Sequence, residues 1–100
     1  MPRISISLPH ALGQEQSIRR LKEGFHSLSE TYKDQIHSLQ EEWNGNVLSY
    51  RFTALGISVT GTVTAEPAEV TLVAELPMMA MMFKGRIEKQ LREELAKMLA

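Results

Sequence analysis

Acidic and histidine side chains at helical spacing are the first candidates for chemistry in this 100-residue chain. Glu23 and His26 form Glu-x-x-His, the spacing found in four-helix carboxylate metal sites. Such sites need the motif twice, on paired helices, whereas this copy falls on the predicted solvent side of one helix. Asp34 and His37 repeat the spacing where a helix gives way to a strand. We therefore predict surface side chains here and no bound metal.

Patterns for catalysis are also missing from the sequence. His10 follows Pro9 at a strand-to-helix turn, where we expect it to hydrogen-bond a helix end or a loop carbonyl. The chain has no Cys, which excludes a disulfide framework, a thiolate zinc site and a cysteine nucleophile. No nucleophile elbow, phosphate-binding Gly-rich loop or apolar carboxylate pair is present. We predict no catalytic residue, no cofactor and no enzymatic activity.

Methionine is the unusual residue of the sequence, because four of its six copies fall within five positions. Met suits gaps in a core as well as surfaces that pack against ill-defined apolar partners. Winding a helix at 100° per residue places Phe83 on a buried stripe, Met82 almost opposite that stripe and Met81 a quarter-turn away. Core and surface interpretations stay open for Met78 and Met79, which flank the helix start.

Outward-pointing methionines predict an interaction surface, since exposed apolar patches usually mark interfaces. The candidate partners are a second copy of the chain in a homodimer, another protein, or the surface of a lipid-like body. Basic side chains beside the cluster, including Lys89, suit a partner that presents anionic groups around such a contact. Basic residues are, however, common on any solvated helix. The predicted surface consists of the four methionines and the two nearest basic residues: Met78, Met79, Met81, Met82, Lys84 and Arg86.

Two hydrophobic periods define the elements that carry these residues. Alternation of apolar and polar side chains predicts strands, and apolar residues three or four apart predict helices. The run before Asn44-Gly45 is the weakest strand, with Leu39 and Trp43 as its expected inward residues. We predict strands at residues 3–8, 36–43, 47–54, 57–65 and 70–76, a helix over about 13–32, and a second helix that follows Pro77 and continues to the C-terminus.

This order, β-α-β-β-β-β-α, predicts an α+β fold in a single domain, residues 1–100. A five-stranded antiparallel sheet in the order 2-3-4-5-1, with two helices on one face, would bury every apolar face. Asn44-Gly45 predicts a primed hairpin turn, because both residues accept a positive φ. Gly61, in mid-strand, predicts a bulge or the close approach of the final helix, unless it is simply a tolerated glycine.

Charge and hydropathy exclude further classes. The net charge is −1, and no clustered basic face indicates nucleic-acid binding. Residues 78–100 are mildly basic, with five basic and three acidic side chains. No apolar stretch of signal-peptide length follows the basic start, and Leu76–Phe83 is far shorter than the ~20 residues that span a bilayer. We expect a cytoplasmic protein with no transmembrane segment.

Motifs along the whole chain resemble those of one family. They are Pro2-Arg3-Ile4-Ser5-Ile6, Pro9-His10-x-Leu12-Gly13, Trp43-Asn44-Gly45-Asn46, Gly61-Thr62-Val63-Thr64 followed by Glu66-Pro67, and Leu76-Pro77 followed by Ala80 to Gly85 and Ile87-Glu88. Together they resemble the polyhydroxyalkanoic acid system family, also called the granule-region family. The resemblance implies a small bacterial protein encoded near genes for polyhydroxyalkanoate storage, acting at the granule or regulating its formation. Its element order is similar to a small helix-grip fold of the kind that binds hydrophobic ligands.

Two functions follow as hypotheses. The first is a non-enzymatic accessory or regulatory protein that contacts the granule surface or a granule protein through its Met-rich helix start. The alternative is a small helix-grip-like protein that binds an acyl chain between the sheet and the final helix. Six large aromatic side chains in so small a domain favour a filled core, and therefore the first hypothesis.

Overall fold

A computed structural model describes residues 3–100, so that Pro2 of the opening motif lies outside the described residues. The chain forms β1 (Arg3–Pro9), α1 (Gln14–Thr31), β2 (Ile36–Asn44), β3 (Val47–Ala54), β4 (Ile57–Ala65) and β5 (Glu69–Glu75). A 3₁₀ helix (Met78–Phe83) and α2 (Lys84–Leu99) follow. All five predicted strands and the first helix are present.

The strands form one antiparallel sheet in the order β1-β5-β4-β3-β2, with the two helices on one face. This confirms the predicted α+β class and the predicted strand order. One cross-strand row shows why the helices cover this face: Ile6 pairs with Leu72, Leu72 with Val63, Val63 with Leu48, and Leu48 with Trp43. The first four side chains are buried and Trp43 is half-buried, so an apolar stripe crosses the whole sheet.

The helices close this core through one buried leucine each. Leu21 of α1 and Leu95 of α2 are fully buried with the strand residues. The helices also contact each other at Gly24, where a Cβ atom would overlap the Met98 side chain. Glycine at this position therefore allows α2 to lie close to α1. No helix within residues 3–100 is long and apolar enough to cross a membrane.

The β2–β3 hairpin confirms the predicted turn with a shift of one residue. Asn44 pairs with Val47, and the two-residue loop between them is Gly45-Asn46. Only Gly45 has a positive φ, 63°, which is the pattern of a type II′ turn with Gly at the first central position. Asn44 is thus the last strand residue and not part of the loop.

A bulge explains why β2 is the weakest strand in the sequence pattern. The pairing with β3 shifts between His37 and Gln40, and Ser38 has a left-handed backbone with φ 56°. An extra residue in a strand breaks the alternation on which the prediction depends. Trp43 faces inward as expected, with the Lys22 Nζ 5.3 Å from its ring centroid. Leu39 stays 38% exposed beside the bulge.

The final helix is not one continuous α-helix. It begins as a 3₁₀ helix, in which the Ala80 N–H donates to the Pro77 carbonyl over 2.9 Å, and becomes α-helical only at Lys84. A 3₁₀ helix advances three residues per turn, so the uniform winding behind our prediction does not hold here. Ala80 is buried as predicted, but Phe83 is 48% exposed. The prediction of Phe83 as a core residue is therefore wrong.

Gly61 allows a side chain of one strand to reach across a second strand to a third. The Tyr50 hydroxyl of β3 donates to the Val73 carbonyl oxygen of β5 over 2.9 Å. Gly61 of β4 lies between them, and a Cβ there would overlap the Val73 carbonyl and press on the Tyr50 hydroxyl. The atoms that approach Gly61 most closely belong to the neighbouring strands and not to the final helix, so the predicted close approach of that helix is wrong.

We expect Gly61→Ala to lower the free energy of unfolding by about 3 kcal/mol, because the added methyl overlaps backbone and displaces a buried hydrogen bond. Urea denaturation monitored by circular dichroism measures the change. The matched control is Gly85→Ala, at a helical position with no atom within 4 Å of the new Cβ. There we expect a gain of about 0.5 kcal/mol. Equal stability of Gly61→Ala and the wild type would contradict the close approach.

Burial raises the pKa of Tyr50, so the folded protein holds the phenolic proton at pH values where the unfolded chain has lost it. The resulting stabilisation is fully present below about pH 10, the ordinary pKa of tyrosine, and is lost progressively as the pH rises above it. We expect the free energy of unfolding to fall more steeply above pH ~10 in the wild type than in Tyr50→Phe. Parallel losses in the two proteins would refute the assignment.

Candidate functional site

Exposed apolar side chains gather at one end of the sheet. Among residues 3–100, the large hydrophobic side chains that are exposed are Leu39, Leu55, Met78, Met79, Met81, Met82 and Phe83. We call these seven residues the apolar end. The four methionines that the sequence indicated as a candidate surface all lie outside the core.

Strand register brings this set together. Glu75, the last residue of β5, pairs with Arg3 at the start of β1 and with Thr60 inside β4. The β3–β4 hairpin therefore extends past the end of β5, and Leu55 lies at its tip. The 3₁₀ helix follows β5 directly, so it starts at the same end of the sheet. Segments about twenty residues apart in sequence thus contribute to one surface.

The 3₁₀ winding explains why Met78 and Met79, for which the sequence left core and surface interpretations open, are both exposed. Residues three apart eclipse each other in a 3₁₀ helix, which places Met78 with Met81 and Met79 with Met82 on two of its three faces. The third face carries Ala80, which is buried in the core, and Phe83 at the junction with α2, which is exposed. Met82 is 88% exposed, the most of the seven. All four methionines are therefore available to a partner of the domain.

Basic side chains border the apolar end. Lys84 is half-buried and Arg86 is exposed at the start of α2, and Lys89 is exposed on the next turn. Two nearby acidic groups are paired, Glu75 with Arg3 at 3.0 Å and Glu88 with Arg92 at 3.7 Å, whereas the exposed Asp34 before β2 forms no ion pair within residues 3–100. Within the described part of the chain, Lys84, Arg86 and Lys89 form no ion pair.

The opposite end of the sheet is polar and acidic. It carries the β2–β3 and β4–β5 turns, with Glu42, Glu66 and Glu69, and residues 42–47 and 66–69 contain no Lys or Arg. We call it the acidic end. The domain thus has a basic, apolar end and an acidic, polar end, although its net charge is only −1.

His10 helps to build the acidic end, in the role expected from the sequence. Its Nδ1 accepts a hydrogen bond from the Leu12 N–H at 3.1 Å, so its Nε2 carries the proton that is donated to the Glu66 carbonyl at 3.1 Å. The backbone N–H of His10 also donates a hydrogen bond to the Ala68 carbonyl over 2.9 Å. The ring therefore joins the turn before α1 to the β4–β5 turn, which is a structural role.

The other acidic and histidine pairs stay on the surface. Glu23, His26, Asp34 and His37 are all exposed. Across residues 3–100, no three His, Cys, Asp or Glu side chains come together in a way that could hold a metal ion.

An apolar cavity lies between the helices and the β2–β3 half of the sheet. Its volume is about 90 Å³, and its walls are almost entirely apolar. Side chains from both helices and two strands form most of the wall: Phe25, Leu28, Ile36, Phe52, Ile87 and Leu91. Leu39 and Glu41 of the bulged edge strand also line it. The aromatic residues do not fill this region as we expected, since Phe25 and Phe52 are only half-buried and Phe83 points away from the core.

Leu55 belongs to the apolar end, although no sequence pattern singled it out. A turn near Gly56 was expected, but the loop is Leu55-Gly56, and both residues have positive φ, 53° and 78°. Asn or Asp normally occupies the first position of such a loop. An apolar residue immediately before the Gly of a two-residue hairpin loop was therefore the available signal.

One solved structure similar to this chain is TTHA0849 from Thermus thermophilus. The two proteins share 16% sequence identity over 98% of this chain and 94% of that chain, with a TM-score of 0.42. At this level the similarity carries no argument about function. The comparison with curated proteins gives no match.

A family model matches residues 4–99, which include the whole sheet, both helices and the Met-rich 3₁₀ helix. The match confirms the resemblance drawn from the sequence motifs and covers nearly the full chain. The protein therefore belongs to the family described as "Putative polyhydroxyalkanoic acid system protein".

Proposed function

We propose that the protein is a non-enzymatic accessory or regulatory protein of bacterial polyhydroxyalkanoate storage that contacts the granule surface or a granule protein in the cytoplasm. Membership of the family supports the setting. The exposure of all four clustered methionines is the main observation in support of the proposed contact. The surface extends to Lys84 and Arg86, as predicted from the sequence.

The amount of exposed apolar surface supports this proposal. Side chains of this size, exposed to the fractions found at the apolar end, present on the order of 800 Å². The largest apolar patch on a monomeric soluble protein is usually about 300–600 Å² and is often functional. Met side chains are unbranched and flexible, so they adapt to a polymer or coat surface without defined pockets. An apolar body in the cell is a fitting partner for such a surface.

The polar groups of the domain support binding over catalysis. Tyr50 is the titratable group whose pKa is clearly shifted, and its hydroxyl is committed to the Val73 carbonyl. The cavity beside it presents almost no polar surface to a substrate. An active site needs several polar side chains converging on one reacting position. The geometry therefore supports an interaction protein.

The cavity favours acyl-chain binding as the second candidate function. Its apolar walls suit a hydrocarbon, but ligand pockets usually measure about 300–1,000 Å³. At about 90 Å³, this cavity would admit only the end of an acyl chain unless the helices moved apart. Glu41 near the opening disfavours an anionic head group. This function therefore stands behind the first.

We expect the double variant Met81→Lys/Met82→Lys to lose at least about ten-fold in affinity for isolated polyhydroxyalkanoate granules, measured by cosedimentation. The reason is that two apolar side chains that the granule contact would bury become charged. Met81→Leu/Met82→Leu should bind like the wild type. The matched control for added charge is Ala11→Lys/Ala68→Lys, at two exposed positions of the acidic end.

Sedimentation velocity of the same proteins shows whether a second copy covers the apolar end. A self-associating wild type and a monomeric double-lysine variant would identify a homodimer through this surface. Unchanged granule binding together with an unchanged oligomeric state in the double-lysine variant would remove the apolar end as the contact.

Native mass spectrometry of protein purified from polymer-producing cells separates the two functions. Under the first proposal we expect the mass of the bare chain. An added mass matching a hydroxyacyl or fatty acyl group would favour the second function, and Leu28→Phe should then abolish it by filling the cavity.

A further inference from the structure

Leu55 occupies a backbone conformation that does not suit it. It is the first residue of the two-residue loop between Ala54 and Ile57, with φ 53°, where Cβ crowds the following carbonyl oxygen. Asn reaches this conformation more easily, because its short side chain can bond locally. The Leu55 side chain is 83% exposed, so core packing does not compensate for the poor fit. Leu55 departs from the residue preference of this turn and gains no core packing in return. This indicates a role for the exposed side chain itself.

Leu55 lies at the same end of the sheet as the methionines and beside them. Only β4 separates β3 from β5, whose end leads into the 3₁₀ helix, so the Leu55 turn and the end of β5 lie within about two strand spacings, roughly 10 Å, across the sheet, and the turn extends further along the strand direction. Two apolar projections at this separation can enter one surface at the same time. The ends of the strands would then contact that surface, with the strands directed away from it.

The charge distribution favours one orientation on an anionic surface. Lys84, Arg86 and Lys89 border the apolar end without ion pairs among the described residues, whereas the acidic end carries Glu42, Glu66 and Glu69. The domain is 37 Å long, and charges are screened beyond about 8 Å at physiological salt. An anionic surface therefore attracts the basic border while the acidic end stays outside its field.

We propose that the Leu55 turn is a second anchor beside the Met-rich 3₁₀ helix, and that the domain docks end-on onto an apolar body coated with anionic lipid. This inference rests on the proposed function, because it takes the apolar end as the contact. Flexible Met side chains, one Leu at a turn tip and a basic border match the composition of segments that lie in a lipid interface.

The test uses the full chain with vesicles of phosphatidylcholine, with and without phosphatidylglycerol. We expect binding to the anionic vesicles, weaker binding to the neutral ones, and a further loss at high salt. Leu55→Asn should bind the anionic vesicles about ten-fold more weakly, because it removes one apolar anchor. Leu55→Met is the matched control, since it keeps an apolar side chain at the tip, and it should bind like the wild type.

Thermal denaturation excludes misfolding as the reason for lost binding. Leu55→Asn should unfold at the same temperature as the wild type or higher, because Asn fits the left-handed backbone better than Leu. Binding and stability are therefore expected to change independently or in opposite directions. An unstable Leu55→Asn protein would itself contradict the account of the turn.

The outcomes separate this inference from the proposed function. If Leu55→Asn binds anionic vesicles as well as the wild type does, the second anchor is wrong. Equal binding to neutral and anionic vesicles, or binding to granules without binding to vesicles, overturns the anionic lipid coat. If the double-lysine variant loses granule binding while Leu55→Asn keeps it, the inference fails and the proposed function stands. If both variants keep granule binding, both the inference and the proposed function fail.

Discussion

The contact of Tyr50 with the Val73 carbonyl is the constraint on which the rest of the fold depends. It ties β3 to β5 across β4, and only glycine at position 61 leaves room for it. The phenol ring thereby covers the gap that a missing side chain would leave in the middle of the sheet. The buried row from Ile6 to Leu48 lies next to it, so the helices pack on a continuous apolar face.

The same contact divides the domain into a tightly packed region and a looser one. Around β1, β5 and β4, the inward side chains are almost completely buried. On the other side of Tyr50, Phe52 stacks with it at a centroid distance of 6.1 Å but remains half-buried, and the cavity begins there. The exposed apolar residues at the end of the sheet are not part of the buried core.

Much of the fold is readable from the sequence because strand alternation and helix periodicity are local signals. They predicted the five strands and their order, and the Met cluster identified part of the apolar end. Phe83 is exposed although it lies three residues after the buried Ala80, at the junction where the 3₁₀ helix gives way to α2, and periodicity does not reveal this junction. Leu55 joins the surface through strand register, which is a long-range property that no local pattern contains. The Ser38 bulge and the cavity are departures from regular strand pairing and packing, neither of which periodicity can show.

The bulge at Ser38 has a consequence for proteins crowded side by side on one surface. β2 is an edge strand, and a long, regular edge can pair with the edge of a neighbouring molecule. The left-handed residue at position 38 interrupts the row of free backbone groups along this edge. Glu41 and Glu42, both exposed, add mutual repulsion between neighbouring copies along the next part of the strand. In a dense layer of such domains, neighbouring molecules are therefore hindered from pairing edge to edge through β2.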